Sequence, residues 1–206
     1  TLGVIVEASF KLLPINTHDG TLLASFPSLA DSIAACRKLL HSPAAPMGCH
    51  SATVGVSRQL QDSLQAASQD LGLGEEEASL SFAFFSGRAR ATGRRLEEAT
   101  ALLLAEGATA VQRVEGLAAK SMLRWVTDIP SEASNSSALV IKISVQSRSA
   151  ARASAECGDV LLFGEKPDQM ADPGFGSIRL FWPEQSESPA RGVDTGQPVL
   201  DAVQKT

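Results

Sequence analysis

The chain has 206 residues, enough for one sizeable domain or at most two small ones, and its 44% hydrophobic and 20% charged residues supply ample material for a packed core. A net charge of −5 without a dense Lys/Arg stripe argues against a nucleic-acid binder, and no apolar run approaches the roughly 20 residues of a bilayer span. Three widely spaced cysteines, Cys36, Cys49 and Cys157, with no CxxC pair fit a reducing compartment.

Gly3 to Leu13 reads as a strand, with Val4, Val6, Ala8, Phe10 and Leu12 on one face and Glu7, Ser9 and Lys11 on the other. The chain starts without Met, partway into that strand, and has no basic leader, so it is expected to begin inside a larger protein. His18-Asp19-Gly20 is expected as a turn and Thr21 to Phe26 as a second strand. Pro27 breaks it, and Ser28 to Asp31 forms a capping-box variant with Ser28 as N-cap. The helix behind it aligns Leu29, Ile33, Cys36 and Leu40.

A strand over His50 to Val56, a helix through Leu60, Leu64, Ala67 and Leu71, and a strong strand over Ser79 to Ser86 follow. A long helix is predicted from Ala89 to Ala105, ended by Gly107, with Arg88, Arg90, Arg94 and Arg95 on its solvated face. Next come a strand over Ala110 to Val114 and a shorter helix over Leu117 to Val126, closed by Pro130. Ala138 to Val145 is the cleanest strand: Leu139, Ile141, Ile143 and Val145 point one way, Val140, Lys142 and Ser144 the other. Ser147 to Cys157 reads as a small helix or irregular segment, Val160 to Phe163 and Ser177 to Trp182 as strands. A loop and a last helix are expected beyond Glu184.

Two strand–helix–strand units thus stand in tandem, Thr21 to Val56 and Ser79 to Val114. They predict an α+β fold, a ferredoxin-like antiparallel sheet with helices packed on one face. A doubly wound parallel sheet is the alternative, but its strands would be apolar on both faces, and these alternate.

Chemistry-bearing patterns are sparse. There is no GxGxxG after a strand, no Walker lysine and no GxSxG elbow; Gly174-Phe175-Gly176 reads as a turn before the strand at Ser177. His18, His41 and His50 are scattered, and Cys49 and His50, adjacent on a strand, point to opposite faces, so a metal site is not expected. Cys49 is read as a structural thiol, Trp125 and Trp182 as core or interface residues. Lys142 is a cation on the polar side of an apolar strand: a solvated strand face, or a cation in a cleft if a partner covers that side.

The opening segment Thr1-Leu2-Gly3-Val4-Ile5-Val6-Glu7-Ala8-Ser9-Phe10-Lys11-Leu12-Leu13-Pro14 resembles the segment that closes the FAD-binding domain in flavoproteins of the vanillyl-alcohol-oxidase type. Ser42-Pro43, the Leu80 to Gly87 strand, Trp125 and Lys142-Ile143-Ser144-Val145 follow in the order seen in the FAD-binding small subunit of bacterial glycolate oxidase. The resemblance spans most of residues 1 to 182.

It implies a closing strand of an otherwise absent FAD-binding domain over residues 1–15. A ferredoxin-like cap or substrate domain would occupy 16–183, and a C-terminal loop and helix 184–206. FAD would be bound mainly by the missing N-terminal domain, with backbone contacts from Gly3, Val4 and Ile5. Lys142, Ser144 and Arg179 would face the flavin and a small 2-hydroxy acid. The partners implied are other subunits of a glycolate-oxidase-like complex, with no nucleic acid and no membrane span. The place implied is the cytoplasm, or the inner-membrane surface reached through that complex.

The family's catalytic relatives carry histidines in a G-D-G-N-x-H pattern. Asp172-Pro173-Gly174-Phe175-Gly176 has none, so no metal-assisted step carries over and the chain is expected to be inactive alone. The competing readings are a non-catalytic interaction module docking onto a catalytic subunit, and an independent small-molecule-binding domain. An exposed tryptophan beside an apolar patch would favour docking; a cleft lined by Lys142 and Arg179 would favour a substrate site.

Overall fold

The computed structural model describes residues 16, 18–53, 55–56, 79–135, 137–162 and 164–183. The expected strand over Gly3 to Leu13, with Gly3, Val4 and Ile5, lies outside the described residues. So do the expected helix through Leu60 to Leu71 and everything after Pro183.

Among the described residues, seven strands and four α-helices follow one another as β1 (His18–Phe26), α1 (Leu29–Leu40), β2 (Gly48–Thr53), β3 (Ser79–Gly87), α2 (Ala89–Ala105), β4 (Ala110–Glu115), α3 (Leu117–Asn135), β5 (Ser137–Ser144), α4 (Ala150–Gly158), β6 (Asp168–Asp172) and β7 (Ser177–Pro183). They form one sheet in the order β4-β1-β3-β2-β6-β7-β5, with every neighbouring pair antiparallel. The first four strands carry the ferredoxin-like order expected from the two tandem units, and β6, β7 and β5 widen that sheet past β2. The α+β class expected from the sequence is therefore the observed one.

The local signals explain most boundaries. Ser28 caps α1, accepting from the Asp31 N–H at 3.1 Å while its hydroxyl donates to the Asp31 carboxylate at 2.6 Å. Helix α2 buries Thr92, Leu96, Ala99 and Leu103 at near-helical spacing and ends at Gly107, whose φ of 95° few side-chain-bearing residues adopt. Arg88, Arg90 and Arg94 are exposed on it, as expected; Arg95 instead lies over the Phe85 ring at 5.5 Å and donates to the Ala45 carbonyl.

Three expectations are corrected. His18-Asp19-Gly20 is strand rather than turn, because Ser86 and Gly87 extend the β3 partner alongside it. Helix α3 continues through Pro130 to Asn135, since a proline removes only one N–H from the helix and the remaining bonds carry it on. Of the strand expected over Val160 to Phe163, Phe163 lies outside the described residues and Val160 to Leu162 form only an isolated bridge, Leu162 to Glu165; the described strand lies further on, at Asp168–Asp172. The small helix expected within Ser147 to Cys157 is present: a 3-10 turn, Ser147–Ser149, leads into α4.

Helices α1, α2 and α4 pack on one face of the sheet, over Leu22, Phe26, Cys49, Phe85, Ile143, Ile178, Leu180 and Trp182. Helix α3 lies across the opposite face, where Met122 and Val126 meet Leu23, Phe82, Phe84 and Phe181. Among the described residues only α3 lies on that second face, and one helix leaves part of the seven strands uncovered by them. Among the described residues the outer strands are β4 and β5.

Candidate functional site

Alternation decides which side chains reach the partly open face. On β5 the apolar set Leu139, Ile141, Ile143 and Val145 packs against the three-helix side, which turns Val140, Lys142 and Ser144 outward. The β5–β7 register sets Lys142 opposite Arg179 and Ser144 opposite Ser177. The β6–β7 register adds Met170 beside Arg179 and Asp172 beside Ser177. Continuing the β2–β6 register from Ala52 and Met170 brings His50 next to Asp172, with Nδ1 to Oδ2 at 3.9 Å.

His50, Lys142, Met170, Asp172, Ser177 and Arg179 line a cleft of about 230 Å³, together with Phe175 from the β6–β7 turn; Ser144 lies outside its lining. The turn is held by Asp172 Oδ1, which accepts from the N–H groups of Gly174 (3.0 Å) and Phe175 (3.2 Å). It closes through Gly176 at φ 64°, whose carbonyl accepts from the Val145 N–H at 2.9 Å. A side chain at Gly176 would run into the Val145 carbonyl. The expected reading of Gly174-Phe175-Gly176 as a turn is thus the observed one.

The cleft is cationic. Lys142 and Arg179 face a single carboxylate, Asp172, which already serves the turn. Among the described residues neither cation has an ion-pair partner. Like charges directly opposite across two strands repel, and an anion between them relieves the repulsion. Burial is the main cause that lowers the His50 pKa below its ordinary value, and Arg179 adds to it against the opposing pull of Asp172. His50 is therefore a neutral ring at neutral pH, resting edge-on against Phe84 with centroids 6.2 Å apart.

On the other side of His50 lies a larger hollow of about 610 Å³, roofed by α3 and floored by β1, β3 and β2. Met47, Phe84, Ala119 and Leu123 give it apolar walls; Asp19, Ser86 and Lys120 form part of its rim. Asp19 accepts from the Ser86 hydroxyl at 2.5 Å and pairs with Lys120 at 3.4 Å.

The structure therefore brings Lys142, Arg179 and Ser144 onto one face, the first two as direct neighbours and Ser144 one pair further along β5. Sequence reasoning missed His50 and Asp172 as their companions. Cys49 points the opposite way into the core, where burial pushes its thiol well above the ordinary range and leaves it no nucleophile. Trp182 is fully buried in the three-helix face. No group of three His, Cys, Asp or Glu side chains gathers among the described residues, and no described helix is long and apolar enough to cross a membrane.

No protein-family profile and no curated protein matches the chain in sequence. Its fold is similar to solved structures of alkyldihydroxyacetonephosphate synthase in two crystal forms, with TM-scores of 0.60 and 0.53 and 12% identity in each. Each superposition covers 91% of this chain and 38% of the synthase chain. The chain thus spans well under half the length of that protein.

Proposed function

We propose that this chain is the cap portion of an FAD-linked oxidoreductase, covering the flavin and shaping a pocket for a 2-hydroxy acid. The observation that carries the reading is the cross-strand pair Lys142 and Arg179, two cations on the partly open sheet face with no acidic partner of their own among the described residues. A face built that way suits a substrate carboxylate or the negative charge of a reduced flavin. The opening segment's resemblance to flavoproteins supports it, and the fold shared with part of an enzyme, the synthase, is compatible with it.

FAD, when bound, accepts the hydride removed from the substrate carbon, and that chemistry belongs to the cofactor. This chain's share is placement. Arg179 offers a planar fork for a carboxylate and Lys142 a point charge beside it. Neutral His50 offers one nitrogen as acceptor to a substrate hydroxyl. Phe175, 86% exposed at the turn tip, screens the cleft from water once a second domain closes over it. Gly3, Val4 and Ile5 are the backbone positions proposed to touch FAD, with most of its binding left to sequence outside this chain.

An absorbance spectrum of a protein extended N-terminally, beside the 206-residue chain, tests the reading. Flavin bands near ~450 nm in the extended protein alone, with oxidation of 2-hydroxy acids, are the expected result. An extended protein that stays colourless after FAD is added rejects it, and the interaction-module reading then takes its place.

A further inference from the structure

The cationic cleft does not stand alone on its sheet face. His50 is a wall of both the cleft and the apolar hollow under α3, so a ligand leaving one enters the other past a single imidazole. Glycolate has no side chain, and with its carboxylate at Arg179 it would leave the hollow to water. The hollow, about 610 Å³, has the size of a small-molecule site, whereas the cleft alone is smaller. Its walls include Met47 and Leu123, apolar side chains that are 64% and 39% exposed and would gain from being covered.

We propose that the site takes a 2-hydroxy acid with a long apolar side chain, its carboxylate between Lys142 and Arg179 and its tail past His50 into the hollow. This rests on the carboxylate-binding reading above and names its substrate class. The span sets the length. From β7 to β2 is two strand spacings, about 10 Å. C–C bonds of about 1.5 Å in an extended zigzag advance about 1.3 Å each, so a tail of roughly eight carbons reaches the hollow. Shorter acids gain nothing from it, and each methylene beyond that reach adds about three- to fourfold in affinity.

Gly48 supplies the means of testing this. It lines the hollow from β2, and a side chain there would meet open space, so a larger residue fills the tail site without a clash at its first carbon. The experiment is calorimetric titration of the 206-residue chain with the series glycolate, 2-hydroxyhexanoate, 2-hydroxydecanoate, 2-hydroxydodecanoate and 2-hydroxytetradecanoate. The expected result is weak, length-independent binding up to the middle of the series and a steep rise beyond it. Gly48→Leu should weaken 2-hydroxytetradecanoate at least tenfold more than 2-hydroxyhexanoate, and Arg179→Gln should weaken every member. Leu123→Trp, on the helix side of the same hollow, should repeat the length-selective loss if Gly48→Leu fails to fold.

Affinity that stays flat along the series, with Arg179→Gln still weakening it, overturns the tail proposal and leaves the carboxylate reading standing. Binding that rises with length but ignores all three substitutions overturns it as nonspecific adsorption. Absence of binding by any acid, short or long, overturns both.

Discussion

The two faces of the sheet are cut from the same strands, residue by alternate residue, and they differ in almost every physical respect. The three-helix face receives Cys49, Ile143, Ile178, Leu180 and Trp182 and is sealed. The face under α3 receives His50, Lys142, Asp172 and Arg179, the immediate sequence neighbours or near neighbours of that sealed set, and is only partly covered. Where β6, β7 and β5 run beyond α3, stability is concentrated on one side of the backbone and chemistry on the other, whereas beneath α3 itself Phe82, Phe84 and Met122 are buried too. A substitution's cost should therefore depend on which side its residue faces more than on where it lies along the chain.

The sharpest test of that contrast is Trp182→Ala on the sealed face. It should cost about 3–5 kcal/mol, read as a shift in the urea midpoint, because a fully buried indole leaves a cavity its neighbours cannot close. A cost under about 1 kcal/mol would mean that the sealed face is not the stabilising one. Gly176→Ala, at the turn joining the two strands behind the cleft, should cost about 1–3 kcal/mol, since alanine meets both a positive φ and the Val145 carbonyl. The same midpoint measurement reads it.

The partly open face predicts smaller effects. His50 has a folded pKa below its unfolded value, so the unfolded chain takes up the proton first as the pH drops. Its contribution to stability should be complete above about pH 6.5 and decline as the pH falls below that value, and His50→Gln should flatten that part of the profile. Thermal melts between pH 5 and 8 check both. Lys142→Gln should do the reverse of an ordinary truncation: by removing a like charge opposite Arg179 it should raise stability by up to about 1 kcal/mol while weakening carboxylate binding. A loss of stability there would show that the pair is not repulsive and would blur the division between the two faces.

The sequence made most of the sealed face legible. The period-two run from Leu139 to Val145 gave both the strand and its inner side, and Ser28 and Gly107 marked helix ends by capping chemistry alone. Lys142 stood out as a cation on an apolar strand. What alternation does not carry is partnership. β6 reads Asp168-Gln169-Met170-Ala171-Asp172, with one large apolar residue; it is a strand because β2 and β7 bond to it from both sides. With β6 placed instead at Val160 to Phe163, nothing linked His50 to Asp172 or either one to Arg179. In the sequence His50 stands beside Cys49, and the same alternation that rules out a metal pair there sends the imidazole to the cationic side.

The strand order bears on how the chain meets copies of itself. Among the described residues β4 and β5 are the outermost strands, each offering a row of backbone groups to any strand that comes alongside. Such borders invite fibre-like growth unless something discourages it, and charge is a common deterrent. Arg113 and Glu115 mark β4 in this way, and on β5 the charge is Lys142. One ammonium group would then serve two ends, as an anchor for an anion and as a guard on an exposed border. Removing it would yield a chain that melts later yet precipitates sooner.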